Sequence, residues 1–475
     1  MFKYILISGA LIFIFSATLG FEVVKGAKLH IQIYNGQNKS IKIKIVNSLS
    51  VEPLLLSSFD TDSNGEVVFD LDLSSSRFLL LEVLGKSYTL YLEPRTELSI
   101  RINDLGVPNF AGNTSIVNRY LYEISEIQKN IAYSAGEDIV DLELSAYLNR
   151  IYMLGRSFDE LHEKYKQSDS LSDTMLNLLE FRNKIYIQRL NQLYAWQYQN
   201  VNKPLVDSLS IGRDIIFDDN ILNTHMVEYI SLIDVFFETR YISLLWQDLS
   251  ISEKEKLKQS APRIIANKIR EDQYPKFAEE LLQAKNIFYW LKYEGVGSLT
   301  DSLYNNFIKA YPNSIFRSIL QEQYEEWSHL SPGSMAPDIV GIMLDGSVVS
   351  IKDFKGKVLF IDVWATWCKP CIESIPYSND LQLSFKNDEI IFLNLSVDSN
   401  IEKWKNKVKN DISWSGLHLI EKPDQELLVA DTYKVRAIPR YIIIDKTGNI
   451  VNSNSFGPSS GDSLIKELKA LVHQD

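Results

Sequence analysis

The most constraining feature of the sequence is an apolar run that leads directly into a pair of cysteines. Residues 358–363 are apolar or β-branched apart from one carboxylate, Asp362, and the chain then reaches Cys368 and Cys371. A run of this kind is typical of a buried parallel strand. These are the only two cysteines among 475 residues, so they cannot form a structural disulfide framework. The pattern predicts a buried strand that delivers a C-x-x-C pair to a helix start, with redox chemistry as its use.

Metal binding and nucleic-acid binding are disfavoured by the composition. Two thiolates fall short of a tetrahedral zinc site, and the 6 His residues show no ligand spacing. The net charge is −12, and Lys and Arg form no cluster of the kind that contacts a phosphate backbone. We therefore expect no metal, no cofactor and no nucleic-acid partner.

Residues 1–20 have the pattern of an export signal. Lys3 precedes an apolar stretch from Tyr4 to Phe15, and small or weakly polar residues follow to Gly20. This order is typical of a Sec-type signal peptide. The apolar run is also long enough to span a bilayer as an uncleaved membrane anchor. In both cases we expect export, either to the periplasm or to a membrane-anchored position that faces the periplasm.

Three patterns divide the rest of the chain. Apolar residues alternate with period two over 27–105, which predicts an antiparallel, sandwich-like β domain. A period of 3.6 over 113–330 predicts a mostly α-helical domain, and 106–113 is interpreted as the linker before it. Pro and Gly in 331–334 mark the start of a third, α/β domain over 333–475. The expected fold class is multidomain, with β, helical and α/β parts in that order.

The C-terminal domain resembles the thioredoxin superfamily, most closely the TlpA/ResA-like thiol-disulfide oxidoreductases of the AhpC/TSA and Redoxin type. The resemblance lies in Met-Ala-Pro-Asp at 335–338, Phe-Lys-Gly-Lys at 354–357, WATWCKPC at 364–371 and Ala-Ile-Pro at 437–439. The upstream regions are similar to the long N-terminal extensions of such proteins from Bacteroidetes. This resemblance implies a thioredoxin-like fold and thiol-disulfide exchange.

The predicted helix start and the resemblance together assign roles around the cysteines. Cys368 is the expected nucleophile, because unpaired backbone N–H groups and the helix dipole stabilise a thiolate there. Cys371 lies on the same helical face and is expected to resolve the mixed disulfide. The resemblance implies that Asp362 accepts the proton of the resolving thiol and that Pro439 is the family's cis-proline. The expected active-site environment comprises Trp367, Lys369, Pro370 and Ile438.

Several charged residues of this domain carry open interpretations. Asp362 could instead be an ordinary buried carboxylate, hydrogen-bonded to a nearby backbone group or water. Asp398, Glu402 and Glu421 are candidate pocket carboxylates, although a solvated face is the favoured interpretation. Arg440 stands where the family more often has Thr, and its effect on substrate choice is open.

The expected function is that of an exported oxidoreductase that reduces protein disulfides through a mixed disulfide. The resemblance implies protein thiol or disulfide substrates, including apocytochrome thiols in cytochrome c biogenesis, and recharging by a membrane electron donor. A dithiol oxidase or isomerase is the alternative enzyme. The dipeptide Lys369-Pro370 between the cysteines clearly matches neither the dipeptide that is usual in reductases nor that of strong oxidases. In a third interpretation the N-terminal domains bind or scaffold a partner and carry the main role.

Overall fold

A computed structural model of the chain describes residues 26–132, 138–198, 215–246, 249–258, 260–385, 390–411, 413–422 and 428–473. The expected export segment at 1–20 lies outside these residues. The chain forms two compact units. The first comprises residues up to 45 and 53–180, and the second comprises 46–52 and 181–475.

The β part of the first unit consists of two four-stranded sheets. Their strands are β1 (Ala27–Ile33), β2 (Ser40–Val46), β3 (Pro53–Asp60), β4 (Glu66–Leu71), β5 (Arg77–Val83), β6 (Lys86–Leu92), β7 (Glu97–Ile102) and β8 (Pro108–Gly112). The orders are β4-β1-β7-β8 and β3-β2-β5-β6. Alternate residues of both sheets, such as Leu29 and Ile43, enter one shared core, so the two sheets form a sandwich.

Two details of the sandwich differ from the sequence interpretation. Strands β1 and β7 pair in parallel, because the chain between them passes through the other sheet, and alternation alone carries no strand direction. The expected linker at 106–113 contains β8, which pairs with β7 and extends the β part beyond residue 105. Gly106 adopts φ +76°, a backbone conformation that favours glycine. This glycine contributes to the linker-like composition of the segment.

Two long helices complete the first unit, α1 (Ser115–Ala132) and α2 (Leu144–Gln167). Val117, Tyr120 and Ile124 of α1 are buried at helical spacing. The buried side chain of Asn118 accepts from Tyr91 N and donates to Tyr91 O, which fixes α1 to β6. Compactness therefore assigns the first two helices to the β unit, whereas the sequence placed them with a single helical domain over 113–330.

The other helices upstream of residue 331 belong wholly or in part to the second unit. They are α3 (Asp173–Tyr198), which begins in the first unit, α4 (Asp219–Asn223), α5 (Val227–Phe237), α6 (Leu244–Trp246), α7 (Ile251–Lys258), α8 (Ala261–Glu271), α9 (Lys276–Glu294), α10 (Ser298–Ala310) and α11 (Arg317–Glu326). A π-helical turn, Glu238–Ser243, connects α5 to α6. Across the described residues, every helix is too short or too polar to span a membrane.

The C-terminal part of the second unit is an α/β domain around a seven-stranded sheet of order β10-β9-β13-β12-β11-β14-β15. The strands are β9 (Val340–Met343), β10 (Val348–Ser350), β11 (Val358–Trp364), β12 (Ile390–Ser396), β13 (Leu417–Glu421), β14 (Arg440–Ile444) and β15 (Ile450–Ser455). The helices are α12 (Lys369–Leu383), α13 (Ile401–Asn406), α14 (Val429–Thr432) and α15 (Asp462–Val472). Strands β11, β12 and β13 are parallel, and β14 runs antiparallel to β11. The predicted order of β, helical and thioredoxin-like α/β parts is confirmed.

Candidate active site

The site is built where the central strand ends. Every residue of β11 is buried, as its apolar composition requires, and the strand pairs on both sides. The chain then makes a short loop and starts α12 at Lys369. Cys368 is the N-cap residue of this helix. The strand therefore places Cys368 against the unpaired N–H groups of a helix N-terminus.

Cys368 and Cys371 are joined by a disulfide with a Cα–Cα distance of 5.3 Å. The backbone N–H of Cys371 points at Cys368 Sγ, with an N–Sγ distance of 3.2 Å. Cys368 is 4% exposed and Cys371 is 0% exposed. Because a thiolate at Cys368 would receive this N–H and the positive end of the helix dipole, the geometry favours ionisation of the outer sulfur.

Asp362 lies on the sheet face that α12 covers. Side chains alternate along a strand, so Asp362 shares its face with Phe360 and Trp364. Phe360 packs in one core with Leu381 of α12, and Trp364 packs in another with Cys371. Asp362 is therefore part of the layer directly beneath the disulfide helix.

The Asp362 carboxyl is 1% exposed, and burial raises its pKa well above its usual range. Neither carboxyl oxygen has a hydrogen-bond partner among the described residues. The interpretation of Asp362 as a backbone-bonded structural carboxylate therefore finds no protein partner in this part of the chain. A buried carboxyl without a hydrogen-bond partner is costly, and groups of this kind are concentrated at functional sites.

The loop before β14 supplies the opposite wall. The Ile438–Pro439 peptide bond is cis, and Pro439 immediately precedes β14. Ile438 packs against the apolar cluster that contains both cysteines. The structure therefore brings the C-x-x-C pair and the proline turn together, although they are far apart in sequence.

The residues between and beside the cysteines face solvent. Trp367 is 65% exposed, and the Lys369 side chain is 87% exposed, with its Nζ 3.8 Å from Glu373 Oε1. Pro370 is in the first turn of α12, where its missing N–H leaves no bond unmade. This surface is open to a partner.

Asp398, one of the candidate pocket carboxylates, fixes the loop in front of Cys368, a role that the sequence did not indicate. Asp398 accepts hydrogen bonds from Thr366 N at 2.8 Å and Thr366 Oγ1 at 2.7 Å. It also accepts one from Ser396 Oγ at 2.7 Å. The available signal was its position, because Asp398 follows β12 and the carboxyl ends of neighbouring parallel strands meet at one edge.

The three candidate pocket carboxylates divide between two environments. Asp398 is buried, and Glu421 is buried with an oxygen that accepts from Val429 N. The solvated-face interpretation is therefore wrong for these two residues. Glu402 is exposed on the first turn of α13, as the solvated-face interpretation predicted.

A C-x-x-C disulfide at a helix N-terminus, a buried carboxyl on the strand beneath it and a cis-proline turn beside it define a thioredoxin-like dithiol-disulfide site. The family model described as Redoxin matches residues 331–464. The thiol-disulfide oxidoreductase ResA from Bacillus thuringiensis (strain Al Hakam) is 31% identical over 155 residues, which are 33% of this chain and 87% of the relative. ResA from Geobacillus kaustophilus is 32% identical over 127 residues, 27% of this chain and 71% of the relative.

Among solved structures, the thioredoxin domain of a thiol-disulfide oxidoreductase from Bacteroides vulgatus is 31% identical. The match covers 29% of this chain and 99% of that one, with a TM-score of 0.27. The identity and coverage of the ResA relatives show that this chain belongs to the ResA family of thiol-disulfide oxidoreductases.

Proposed function

We propose that this chain reduces protein disulfides outside the cytoplasm, with Cys368 as the nucleophile and Cys371 as the resolving thiol. The observation that carries the proposal is the unpartnered carboxyl of Asp362, buried in the layer beneath the disulfide helix. A resolving thiol as buried as Cys371 must lose its proton without direct access to water, and a buried carboxylate in the layer beneath its helix can accept it.

The reaction has two exchange steps. The Cys368 thiolate attacks one sulfur of a substrate disulfide; the Cys368–substrate bond forms, the substrate S–S bond breaks, and the released thiolate takes a proton from solvent. Cys371 then gives its proton to the Asp362 carboxylate and attacks Cys368 Sγ. The Cys368–substrate bond breaks as the Cys368–Cys371 bond forms, and the second substrate sulfur leaves as a thiolate that takes a proton from solvent. The substrate is then a dithiol, and the chain holds the Cys368–Cys371 disulfide, which is the state in the structure.

Turnover requires an external dithiol donor that reduces this disulfide again. The family resemblance supports a membrane-bound donor and substrates that include oxidised cysteine pairs of apocytochromes, which the reaction would convert to thiols. The apolar segment at 1–20 supports a position outside the cytoplasm, because such a segment directs export. Fusion of the chain to a reporter enzyme that is active only after export tests this part; an inactive fusion would contradict it.

The reduction potential of the full chain tests the direction of electron flow. Equilibration with glutathione buffers, followed by alkylation of free thiols, should give a value near or below about −270 mV, as for thioredoxin. A value near about −120 mV, as for a strong dithiol oxidase, would instead support the oxidase alternative. Cys368→Ser/Cys371→Ser is the control for background alkylation.

Trapping of the mixed disulfide tests the proposed roles of Cys368, Cys371 and Asp362. Cys371→Ser should accumulate a mixed disulfide with a protein substrate, and Cys368→Ser should accumulate none. Asp362→Asn should accumulate the same adduct transiently, because attack by Cys371 loses its proton acceptor. An Asp362→Asn chain that resolves the adduct at the native rate would remove Asp362 from the mechanism while leaving both cysteine roles intact.

A further inference from the structure

Arg440 is placed where a side chain can influence the proline turn. It follows cis-Pro439 and begins β14, where it pairs with Val363 of β11. Its neighbour Tyr441 packs in the core beneath α12, so the alternation of the strand turns Arg440 to the other sheet face. Despite its charge, Arg440 is only 3% exposed.

The contacts of the guanidinium lead out of the α/β domain into the helices before it. Nη2 donates to Tyr293 O at 2.7 Å, and Nη1 lies 3.5 Å from Ser453 O. The guanidinium carbon lies 6.0 Å from the ring centroid of Trp327. Tyr293 is in the last turn of α9, where free carbonyl groups and the negative end of the helix dipole favour a cation. The end of α9 is therefore the main binding site of this charge.

Trp327 packs against the end of α9, at a position where only glycine leaves room for its ring. Gly295 ends the helix with φ +81°, and a Cβ at this position would lie 2.5 Å from Trp327 Cε3. Glu294 adds an ion pair with Lys258 at 2.8 Å and accepts a hydrogen bond from Asn454 of β15. Arg440, Trp327 and the α9 end thus form one packed unit, named here the α9 anchor.

The α9 anchor couples the helices to the proline turn energetically. Burial lowers the pKa of the Arg440 guanidinium, and the negative charge of Glu294 opposes this shift. Two carbonyl groups, the Trp327 ring and the charge of Glu294 stabilise the guanidinium in this position. A shift of α9 would therefore leave a buried cation without its acceptor, and a shift of the turn would do the same.

We propose that Arg440 is a positioning residue that holds the Ile438–Pro439 turn against α9 and thereby sets the affinity of the site for protein disulfides. This inference rests on the proposed function, exchange through Cys368. An extended polypeptide substrate pairs with main-chain groups at such a turn, as in strand addition. A small disulfide needs only access to Cys368 Sγ. Loosening the turn should therefore weaken the binding of protein substrates and leave the reaction with small disulfides nearly unchanged.

The test compares KM and kcat of the full chain for reduction of the intact disulfides of insulin and of a small aromatic disulfide, with a small dithiol as the electron donor. Arg440→Met removes the charge and keeps much of the side-chain volume. It should raise KM for the protein substrate about tenfold, the cost of one lost charged hydrogen bond, with a far smaller change for the small disulfide. Arg440→Lys should restore part of the protein KM, because an ammonium can still donate to Tyr293 O.

A second variant perturbs the α9 anchor from the helical side, without touching the turn. Gly295→Ala should displace Trp327 and reproduce the rise in protein KM, and combination with Arg440→Met should add little to either. Glu326→Gln is the matched control, since it removes a different ion pair between the helices and the α/β domain, with Lys434 at 2.7 Å. This exposed pair should leave both KM values unchanged.

The outcomes separate this inference from the proposed function. Equal losses for both substrates in Arg440→Met, or an unchanged protein KM in Gly295→Ala, would overturn the role of Arg440 while exchange itself stands. A native chain that reduces neither substrate would overturn the proposed function instead. If Arg440→Met fails to fold, the protein KM of Gly295→Ala alone decides whether the α9 anchor affects substrate affinity, because this substitution is remote from the cysteines.

Discussion

Asp398 holds Thr366 by two hydrogen bonds, one from the backbone N–H and one from the hydroxyl. Thr366 lies two positions before Cys368, in the loop that joins the central strand to the disulfide helix. The carboxylate at the end of β12 therefore fixes the approach of the chain to the nucleophile.

Asp398→Ala should destabilise the chain by about 2–3 kcal/mol, because the half-buried donors of Thr366 and the buried hydroxyl of Ser396 lose their acceptor. Urea unfolding of the oxidised chain measures the difference. Glu402→Ala, a solvated carboxylate on α13, is the control and should stay within about 0.5 kcal/mol of the native chain. A similar cost for both variants would contradict the importance of the Asp398 contacts.

Asp362→Asn should stabilise the oxidised chain, and increasingly so as pH rises. Burial raises the folded-state pKa of Asp362, so the folded chain binds more protons than the unfolded chain above the unfolded pKa of about 3.9. Stability then falls with rising pH up to the folded-state pKa, and the amide removes this loss. Unfolding of both chains at pH 5 and pH 8 measures it.

The control for this titration is Asp380→Asn, at an exposed position on α12. It should change the free energy of unfolding by only a small amount at both pH values. A stabilisation by Asp362→Asn that is the same at pH 5 and pH 8 would count against a raised pKa for the buried carboxyl.

Lys369→Met should have little effect on the nucleophile. The Lys369 ammonium is solvated and lies near Glu373, so its field at Cys368 is screened by water and salt. We expect the alkylation rate of reduced Cys368 at pH 6 to fall less than about twofold, and the difference to vanish in about 1 M salt. A tenfold fall that persists in salt would give Lys369 a direct role in thiolate stabilisation.

Arg182→Met should strongly destabilise the helices of the second unit. Arg182 Nε and Nη2 donate to Glu228 at 3.1 Å and 2.5 Å, and both side chains are buried. Removal of the cation leaves Glu228 unpaired in the interior, at a cost of about 3–5 kcal/mol in urea unfolding.

The double change Arg182→Met/Glu228→Leu should recover most of this loss, because an apolar pair carries no desolvation cost. Arg156→Met, which breaks an exposed pair with Glu160, is the control and should leave the stability close to that of the native chain. A double variant as unstable as Arg182→Met alone would show that packing, and not charge, accounts for the cost.

The parts predicted from sequence are those whose cause is local. The apolar run of β11 and the C-x-x-C pair after it lie in one short segment, and the helix N-terminus follows from Pro370. The order of β, helical and α/β regions followed from periodicity, which is also a local property. Local patterns therefore predicted both the fold class and the residues around the disulfide.

The parts that sequence did not predict depend on partners far along the chain. Thr366 and Asp398 are 32 positions apart, and Arg440 and Tyr293 are 147 apart. No period links such pairs, so a buried aspartate and a solvated one have the same appearance in the sequence. Strand β8 was missed for a related reason, since its five residues carry too short an alternation to differ from a turn-rich linker.

The burial of Arg440 beneath Trp327 bears on whether the α/β domain can be excised. A fragment that starts at residue 331 would keep the guanidinium but lose Trp327 and Tyr293 O, so a cation and the sheet face around it would meet water. In such a fragment, side chains that are buried in the intact chain would be exposed to solvent. We therefore expect a fragment that begins before α9 to be more stable than one that begins at residue 331, because only the longer fragment keeps both partners of Arg440.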